Sequence, residues 1–203
     1  MTIDNFVGTF VLGKLLSPAY KRAAKGLCQE CAPFITKGSK IIDIGCGRGI
    51  TTQEFRDYFQ AEILGVDVAD QRVIDFPFQK IDGKNLPFSN DSFDVALLIN
   101  VLHHADDPEN LLNEAKRITK EKIIICEDLK GKGISQLANW LHRNTYRISA
   151  PFLRQPNNFH SREEWKRKFS KNGLKVSFEK IFSQPFGWLY PIKNVLFVLS
   201  KKA

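Results

Sequence analysis

The feature that most constrains the fold is a series of short aliphatic runs in the middle of the chain, separated by polar and helical stretches. In the last run Ile123, Ile124 and Ile125 follow one another, so both faces of that strand are expected to be buried. Strands covered on both faces are typical of a parallel sheet with crossover helices, and we therefore predict an α/β fold with a doubly wound sheet. The predicted strands are 41–44, 63–66, 78–81, 94–99 and 123–126.

The segments on either side of this core show other patterns. The serine–proline pair at 17–18 is typical of a helix start, and apolar residues recur after it at helical spacing as far as Cys31. Near the other end, a capping box that begins at Ser161 predicts a helix. Two apolar stretches, 174–178 and 195–199, follow without a helical pattern between them, which predicts an antiparallel strand pair that ends the sheet.

We interpret the 203 residues as one domain. It is divided into an N-terminal helical cap (1–37), a cofactor-binding core (38–128), an insert or lid (129–160), and a C-terminal helix with the final strand pair (161–203). No apolar run reaches the roughly 18 to 20 residues of a membrane span, and the first residues lack the basic start of a secretory signal, so we expect a cytoplasmic protein. The four cysteines fall in apolar segments, which favours reduced thiols packed in the core over a disulfide or a metal site.

The net charge of +8 is distributed unevenly along the chain. Residues 130–203 carry 15 lysines and arginines against 3 acidic residues, whereas residues 41–129 carry 9 against 17. A strongly basic third favours an anionic partner, whether nucleic acid, a membrane surface or an anionic substrate. The alternative is a solvated basic face without a specific partner.

The most informative motif follows the first predicted strand and reads Asp43-x-Gly45-x-Gly47-x-Gly49. Glycines at alternate positions permit a tight turn and let a ligand approach the backbone, which predicts a nucleotide-like cofactor. The spacing differs from the dinucleotide fingerprint of dehydrogenases, because residue 50 is isoleucine, and no Gly-Lys-Ser/Thr of a Walker A loop follows.

Two further acidic residues follow predicted strands. Asp67 ends the second strand, and Asp82 with Gly83 follows the third. Ligands of open α/β sheets bind at the carboxyl ends of the strands, and an acidic group there can accept hydrogen bonds from ribose hydroxyls. Asp43, Asp67 and Asp82 are therefore expected to converge on one crevice.

This ordered set resembles the class I S-adenosylmethionine-dependent methyltransferases, and most of all their small-molecule branch often called type 11. The set also includes Leu86-Pro87-Phe88, Ser92-Phe93-Asp94 and Val101-Leu102-His103-His104. The resemblance covers about residues 38–128. It implies a Rossmann-like, seven-stranded sheet with an antiparallel last strand. It also implies S-adenosylmethionine as cofactor and methyl transfer to a small-molecule acceptor by in-line displacement.

The resemblance also implies roles for residues of the cofactor site. The glycine loop would hold the methionine part of the cofactor, Asp67 the ribose and Asp82 the adenine amino group, while Asn100 would lie near the sulfonium. The whole expected set is Asp43, Gly45, Cys46, Gly47, Gly49, Asp67, Val68, Asp82, Gly83 and Asn100. Only 14 residues separate Asp67 from Asp82, so the helix that family members usually carry there is expected to be lost or reduced to a turn.

A general base would assist transfer to a weakly acidic acceptor, although proximity alone is sufficient in some members of the family. The candidate bases are His103, His104, His160 and Glu127, with Asp128 as a further carboxylate. A lid is expected from the N-terminal segment and the insert, whose Arg143, Arg147 and Arg154 would bind an anionic acceptor group.

Two other function classes stay open at this point. One is an RNA- or DNA-binding methyltransferase that uses the basic C-terminal third. The other is a protein that binds the cofactor without catalysing a reaction. Residue Asn100 is followed by valine, leucine and histidine, and the Asn-Pro-Pro-aromatic motif typical of amino-group methylation of adenine or glutamine is absent. A small-molecule acceptor is therefore favoured.

Overall fold

The computed structural model describes residues 18–131, 159–183 and 192–202. Helix α1 covers the described residues 18–31. The elements that follow in the core are β1 (Lys40–Ile44), α2 (Ile50–Phe59), β2 (Glu62–Asp67), β3 (Phe78–Lys80), β4 (Phe93–Ile99), a 3-10 turn (Leu102–His104), α3 (Pro108–Ile118) and β5 (Thr119–Asp128). The last part contains α4 (Arg162–Lys171), β6 (Leu174–Ser183) and β7 (Lys193–Lys201).

In the described part of the chain, seven strands form one mixed sheet in the order β3-β2-β1-β4-β5-β7-β6. Strands β1 to β5 run parallel to one another, and β7 runs antiparallel to both β5 and β6. The predicted α/β sheet with an antiparallel final pair is confirmed. Strand β7 inserts between β5 and β6, so β6 forms one edge of the sheet and the short β3 forms the other.

Strand β5 is longer than its apolar run indicates. It begins at Thr119, which pairs with Phe93 of β4, and it continues to Asp128, which pairs with Asn194 of β7. Polar residues join the strand because backbone hydrogen bonds to neighbours on both sides, and not side-chain hydrophobicity, define its ends. This extension places Glu127 inside the sheet, where it is fully buried.

Helices cover both faces of the sheet. Helices α3 and α4 pack on one face through a buried cluster that includes Leu112, Trp165 and Phe169. Helices α1 and α2 cover the other face through a cluster that includes Cys28 and Phe55. This arrangement of three layers buries both faces of the central strands, as the successive isoleucines of β5 predict.

The cysteines are packed in this core as free thiols. Cys28 and Cys31 are fully buried in the helix-facing cluster, and burial raises the pKa of the Cys28 thiol to about 12. Because both side chains are buried within this cluster, the prediction of core packing is confirmed. None of the helices in the described part of the chain combines the length and the apolar character needed to cross a membrane.

Because β1, β2, β3, β4 and β5 are parallel, the residues that follow them lie along one edge of the sheet, here called the carboxyl edge. The predicted lid arginines Arg143, Arg147 and Arg154 and the first 17 residues of the helical cap lie outside the described residues. The carboxyl edge itself is described from β1 to β5 and carries the candidate site.

Candidate functional site

The glycine loop, residues 45–49, connects β1 to α2 with three glycines in left-handed backbone conformations, at φ values of +75°, +51° and +80° for Gly45, Gly47 and Gly49. A Cβ placed on Gly45 would overlap with Cγ2 of Val101, whereas a Cβ on Gly47 would meet no atom of the described residues within 4 Å. A Cβ on Gly49 would overlap with the ring of Phe76, so the loop is packed at both ends and open at Gly47. The loop thus presents bare backbone to an open space, as a cradle for a ligand requires.

Asp67 connects the end of β2 to the glycine loop. One of its carboxylate oxygens accepts a hydrogen bond from the Gly47 N–H at 2.9 Å, and the other accepts one from the Ala69 N–H at 3.3 Å. The side chain is half-buried, and each carboxylate oxygen has a second lone pair. Asp67 can therefore hold the loop and still accept hydrogen bonds from ligand hydroxyls.

Asp82 lies in an exposed turn after β3. Its Oδ1 accepts hydrogen bonds from the backbone N–H groups of Lys84 at 2.7 Å and Asn85 at 3.0 Å, and these bonds hold the pKa of the carboxyl below its usual value. A Cβ placed on the adjacent Gly83 would lie 2.9 Å from Cγ1 of Val68. The turn after β3 thus packs on the residue that follows Asp67, which brings these predicted site residues together.

The loop that follows this turn is held by a pair of side chains on α3. Glu114 accepts a hydrogen bond from the Leu86 N–H at 2.8 Å. The Arg117 guanidinium donates to the carbonyl oxygens of Leu86 at 2.9 Å and Phe88 at 2.7 Å, and it also pairs with Glu114. Sequence reasoning missed this pair, because the i, i+3 spacing of Glu114 and Arg117 is equally typical of a solvated helix face.

Asp43 is buried beneath the glycine loop, with 2% of its surface exposed. The Thr52 hydroxyl donates a hydrogen bond of 2.6 Å to its Oδ2. Burial raises the pKa of the carboxyl from 3.8 to about 6, although the Thr52 hydrogen bond acts in the opposite direction. Asp43 therefore ties the end of β1 to the start of α2 and supports the loop from below.

The raised pKa of Asp43 predicts a specific pH dependence of stability. At pH 4 to 6 the unfolded chain releases this proton more readily than the folded protein, so the contribution of Asp43 to the free energy of unfolding falls as pH rises. A pKa of about 6 in place of 3.8 corresponds to roughly 3 kcal/mol at neutral pH. We expect Asp43→Asn to gain stability relative to the wild type between pH 4 and 7, as measured by urea unfolding at each pH.

The control for this measurement is Asp57→Asn, because the Asp57 side chain is 58% exposed and pairs only with the neighbouring Arg56 among the described residues. Its stability should follow that of the wild type at every pH. Parallel curves for Asp43→Asn and the wild type would show that the buried carboxyl does not titrate differently in the folded and unfolded states.

The turn after β4 is held by a buried carboxylate of β5. Oε1 of Glu127 accepts hydrogen bonds from the Val101 and Leu102 N–H groups at 3.0 and 2.7 Å, and its Oε2 lies 2.5 Å from Nδ1 of His103. Glu127 is fully buried and His103 is 2% exposed. Both carboxylate oxygens are thus engaged in holding the turn.

This turn places Asn100 and Val101 beside the glycine loop. Asn100 has a left-handed φ of +56°, and its N–H donates to the Cys126 carbonyl at 2.7 Å. The Val101 side chain packs where a Cβ of Gly45 would lie. The site therefore has two halves, the acidic glycine-loop half and the turn after β4, which meet at Val101.

The candidate bases differ in their surroundings. Burial acts to lower the pKa of His103, but the charge and hydrogen bond of Glu127 outweigh it and raise the pKa. The ring of His104 is half-buried, and its centroid lies 4.0 Å from that of His103. His103 also stacks on Phe159 with centroids 5.0 Å apart. Of this pair, His104 is the more exposed to solvent.

His160 and Asp128 lie further along the carboxyl edge. His160 forms a bridge with Leu129 just after β5, and its ring meets Trp165 edge-on at 4.7 Å between centroids. Burial and the nearby Lys168 lower its pKa. Asp128 is buried and accepts a hydrogen bond of 2.5 Å from the Asn194 amide. Neither has a described contact with the glycine loop.

Comparison with known proteins shows that the chain belongs to a family. A family model described as a methyltransferase domain matches residues 18–177. The uncharacterized methyltransferase YcgJ of Bacillus subtilis is 28% identical over 155 residues, which cover 66% of this chain and 56% of that protein. A ubiquinone biosynthesis O-methyltransferase of Cereibacter sphaeroides is 24% identical over 136 residues, which cover 57% of this chain and 55% of that protein.

The chain spans about half the length of these curated relatives. Among solved structures, a Haloferax volcanii methyltransferase in complex with the Trm112 methyltransferase activator superimposes with a TM-score of 0.75. The two are 18% identical, and the match covers 98% of this chain and 97% of the other. At this identity the likeness concerns the fold, and it extends over nearly the whole of both chains.

Proposed function

The chain belongs to the methyltransferase family whose domain model matches residues 18–177, and on this premise we propose that it transfers a methyl group from S-adenosylmethionine to a small-molecule acceptor. The observation that carries the proposal is the open, left-handed glycine loop with Asp67 bonded to its Gly47 N–H. The family match supports an adenosyl cofactor. The exposed backbone at Gly47, beside a carboxylate that can accept further hydrogen bonds, supports it independently.

The residues present fit this cofactor. The open space at Gly47 would be filled by any side chain at that position, and a ligand can approach the backbone there. Asp67 has lone pairs for the ribose hydroxyls, and the Asp82 turn beside Val68 supplies acceptors for an adenine amino group. When bound, S-adenosylmethionine supplies the methyl group and the sulfur leaving group.

At the other half of the site, the chain orients the acceptor and removes its proton. The turn from Asn100 to His104 is held by Glu127, so its side chains keep their positions relative to the glycine loop. We assign the role of base to His104, because Glu127 and His103 are buried and bonded to each other. His104 would accept the proton of the acceptor's hydroxyl group. The hydroxyl oxygen would form the new bond to the methyl carbon, whose bond to sulfur would break.

A hydroxyl acceptor is supported by the relatives named as O-methyltransferases. A nucleic-acid acceptor has less support, because slightly more than half of the described cations of the basic C-terminal third are paired with acids. Six of them form ion pairs, namely Arg162 and Lys166 with Glu179, Lys168 and Lys171 with Glu109, Lys180 with Glu30, and Lys201 with Asp91. This pairing reduces the positive field that a phosphate backbone would meet.

The proposal is tested first by titration calorimetry with S-adenosylhomocysteine, the demethylated cofactor, which should bind with a stoichiometry of one. The protein is then incubated with S-adenosylmethionine and a panel of phenols, catechols and aliphatic alcohols, and release of S-adenosylhomocysteine is measured. We expect turnover with at least one hydroxyl compound, and a drop in kcat of at least about tenfold for His104→Ala at unchanged cofactor affinity.

Absence of affinity for both forms of the cofactor would overturn the proposal. Binding without turnover on any acceptor, including RNA and DNA, would support the non-catalytic alternative. Turnover on nucleic acid alone, with binding that weakens steeply as salt rises, would support the nucleic-acid alternative.

A further inference from the structure

The segment between β2 and β3, residues 68–77, contains no helix. In its place, one buried aromatic ring and one arginine fill the space beside the glycine loop. Resting on the proposed function, we propose that Phe76, held in place by Arg72, is a positioning residue of the cofactor site that supports the glycine loop from behind and thereby sets cofactor affinity.

Phe76 lies directly against the glycine loop. The residue is 4% exposed, and a Cβ placed on Gly49 or on Gly65 of β2 would overlap with its ring. A Cβ on Gly65 would also lie 2.9 Å from the sulfur of Cys46. The ring therefore occupies the space between β2 and the loop, and the absence of side chains at residues 49 and 65 is what makes room for it.

Arg72 fixes the segment that carries this ring. Its Nε and Nη2 each donate to a carboxylate oxygen of Asp70 at 2.9 Å, and its Nη1 donates to the Phe76 carbonyl at 2.7 Å. The guanidinium also lies over the ring of Phe78 at 4.6 Å from the centroid. Arg72 therefore makes a bidentate ion pair, a hydrogen bond to the backbone and a ring contact. These interactions hold a segment that has no internal helical hydrogen bonds.

A backbone hydrogen bond connects the same segment to the loop itself, since the Val73 N–H donates to the Arg48 carbonyl at 3.2 Å. The hydrogen bonds from Arg72 lower the pKa of Asp70 to about 2, so the carboxylate of this pair is charged at neutral pH. The segment is thus joined to the glycine loop by packing at Phe76 and by a hydrogen bond at Val73.

This arrangement predicts how Phe76 acts. Because the ring is buried behind the loop, it reaches a bound cofactor only through the position of the loop backbone, including the Gly47 amide that Asp67 holds. Loss of the ring should weaken cofactor binding and raise the KM for the cofactor, while the KM for the acceptor stays unchanged. A purely structural role would lower stability and leave both constants unchanged.

The test compares two buried phenylalanines. Phe76→Leu is expected to weaken S-adenosylhomocysteine binding about tenfold in calorimetry, because a smaller side chain leaves the loop without its support. The matched control is Phe59→Leu, since Phe59 is 2% exposed at the far end of α2. It should lose stability without a change in affinity beyond about twofold. Equal effects of the two variants on affinity would overturn the proposal.

A size-compensation cycle tests the contact itself. Gly65→Ala should weaken binding about tenfold in the wild-type background and by a smaller factor in the Phe76→Leu background, where the overlapping ring atom is gone and only the contact with Cys46 remains. An equal cost in both backgrounds contradicts the proposal. Should Phe76→Leu fail to fold, Arg72→Ala is the substitute, because this side chain is partly exposed, and wild-type affinity for Arg72→Ala would then refute the assigned role of the arginine.

A readout without ligand separates this inference from the proposed function. Amide hydrogen exchange at Cys46, Gly47 and Gly49 should be faster in Phe76→Leu than in Phe59→Leu, because these amides bond to Val66, Asp67 and Cys46 within the supported loop. If exchange is faster in Phe76→Leu but the wild-type protein binds no S-adenosylhomocysteine, the proposed cofactor is wrong and the support of the loop by Phe76 stands. Unchanged exchange with normal wild-type binding would disprove the role of Phe76 alone.

Discussion

Asp67→Ala is expected to weaken S-adenosylhomocysteine binding by about 100-fold or more. The substitution removes the acceptors proposed for the ribose hydroxyls and also the acceptor of the Gly47 N–H, which lies at 2.9 Å. Hydrogen bonds to a charged group contribute roughly 1.5 to 3 kcal/mol each, so the loss of two of them corresponds to this change in affinity. Titration calorimetry on the folded variant measures the effect directly.

Asp67→Asn is the informative partner of this variant. Its amide oxygen can still accept from Gly47, but its amide nitrogen cannot accept from a hydroxyl, so an intermediate loss of about tenfold is expected. Asp57→Ala serves as the surface control and should bind like the wild type. Binding by Asp67→Ala within about threefold of the wild type would remove Asp67 from the site.

Glu127→Ala is expected to lower the free energy of unfolding by about 3 to 5 kcal/mol, the usual cost of removing one partner of a buried charged pair. It leaves the N–H groups of Val101 and Leu102 without their acceptor, and it leaves the His103 ring without its carboxylate partner, all in a buried position. Denaturant unfolding followed by circular dichroism measures the loss.

Glu127→Gln should lose less stability, because its amide oxygen still accepts from the two backbone N–H groups. Glu163→Ala provides a control at an acid whose side chain is 69% exposed. If Glu127→Ala unfolds within about 1 kcal/mol of the wild type, the turn after β4 is held by other contacts. The test also bears on the proposed chemistry, in which Glu127, with both oxygens engaged, would position the turn and not act as the base.

Much of the fold follows from local patterns. The patterns predicted all five parallel strands within a few residues, and for the central strands the reason is that a strand buried on both faces must be apolar at successive positions. The capping box at Ser161 is present as predicted, with reciprocal bonds between Ser161 and Glu164. The end of β5 was harder to predict, because Glu127 and Asp128 are polar and belong to the strand only through pairing with β7.

The candidate site divides in the same way. Its glycines and acids lie within short motifs at strand ends, where spacing alone carries the signal, and the structure brings Asp67, Val68 and Gly83 to one edge. The supports of the site come from distant parts of the chain. Glu127 is 25 residues from Leu102, and the contact of Phe76 with Gly65 and Gly49 follows no sequence periodicity.

By itself, the sequence determined that this chain builds a doubly wound α/β sheet with a glycine loop and acidic strand ends, because secondary-structure period and turn chemistry are local properties of the chain. Only the tertiary structure decided that β7 lies between β5 and β6, that Glu127 engages both oxygens beneath the turn, and that Phe76 packs against Gly49 and Gly65. These features depend on which strands pair and which side chains fill the space between them, and close packing settles both only when the whole chain has folded.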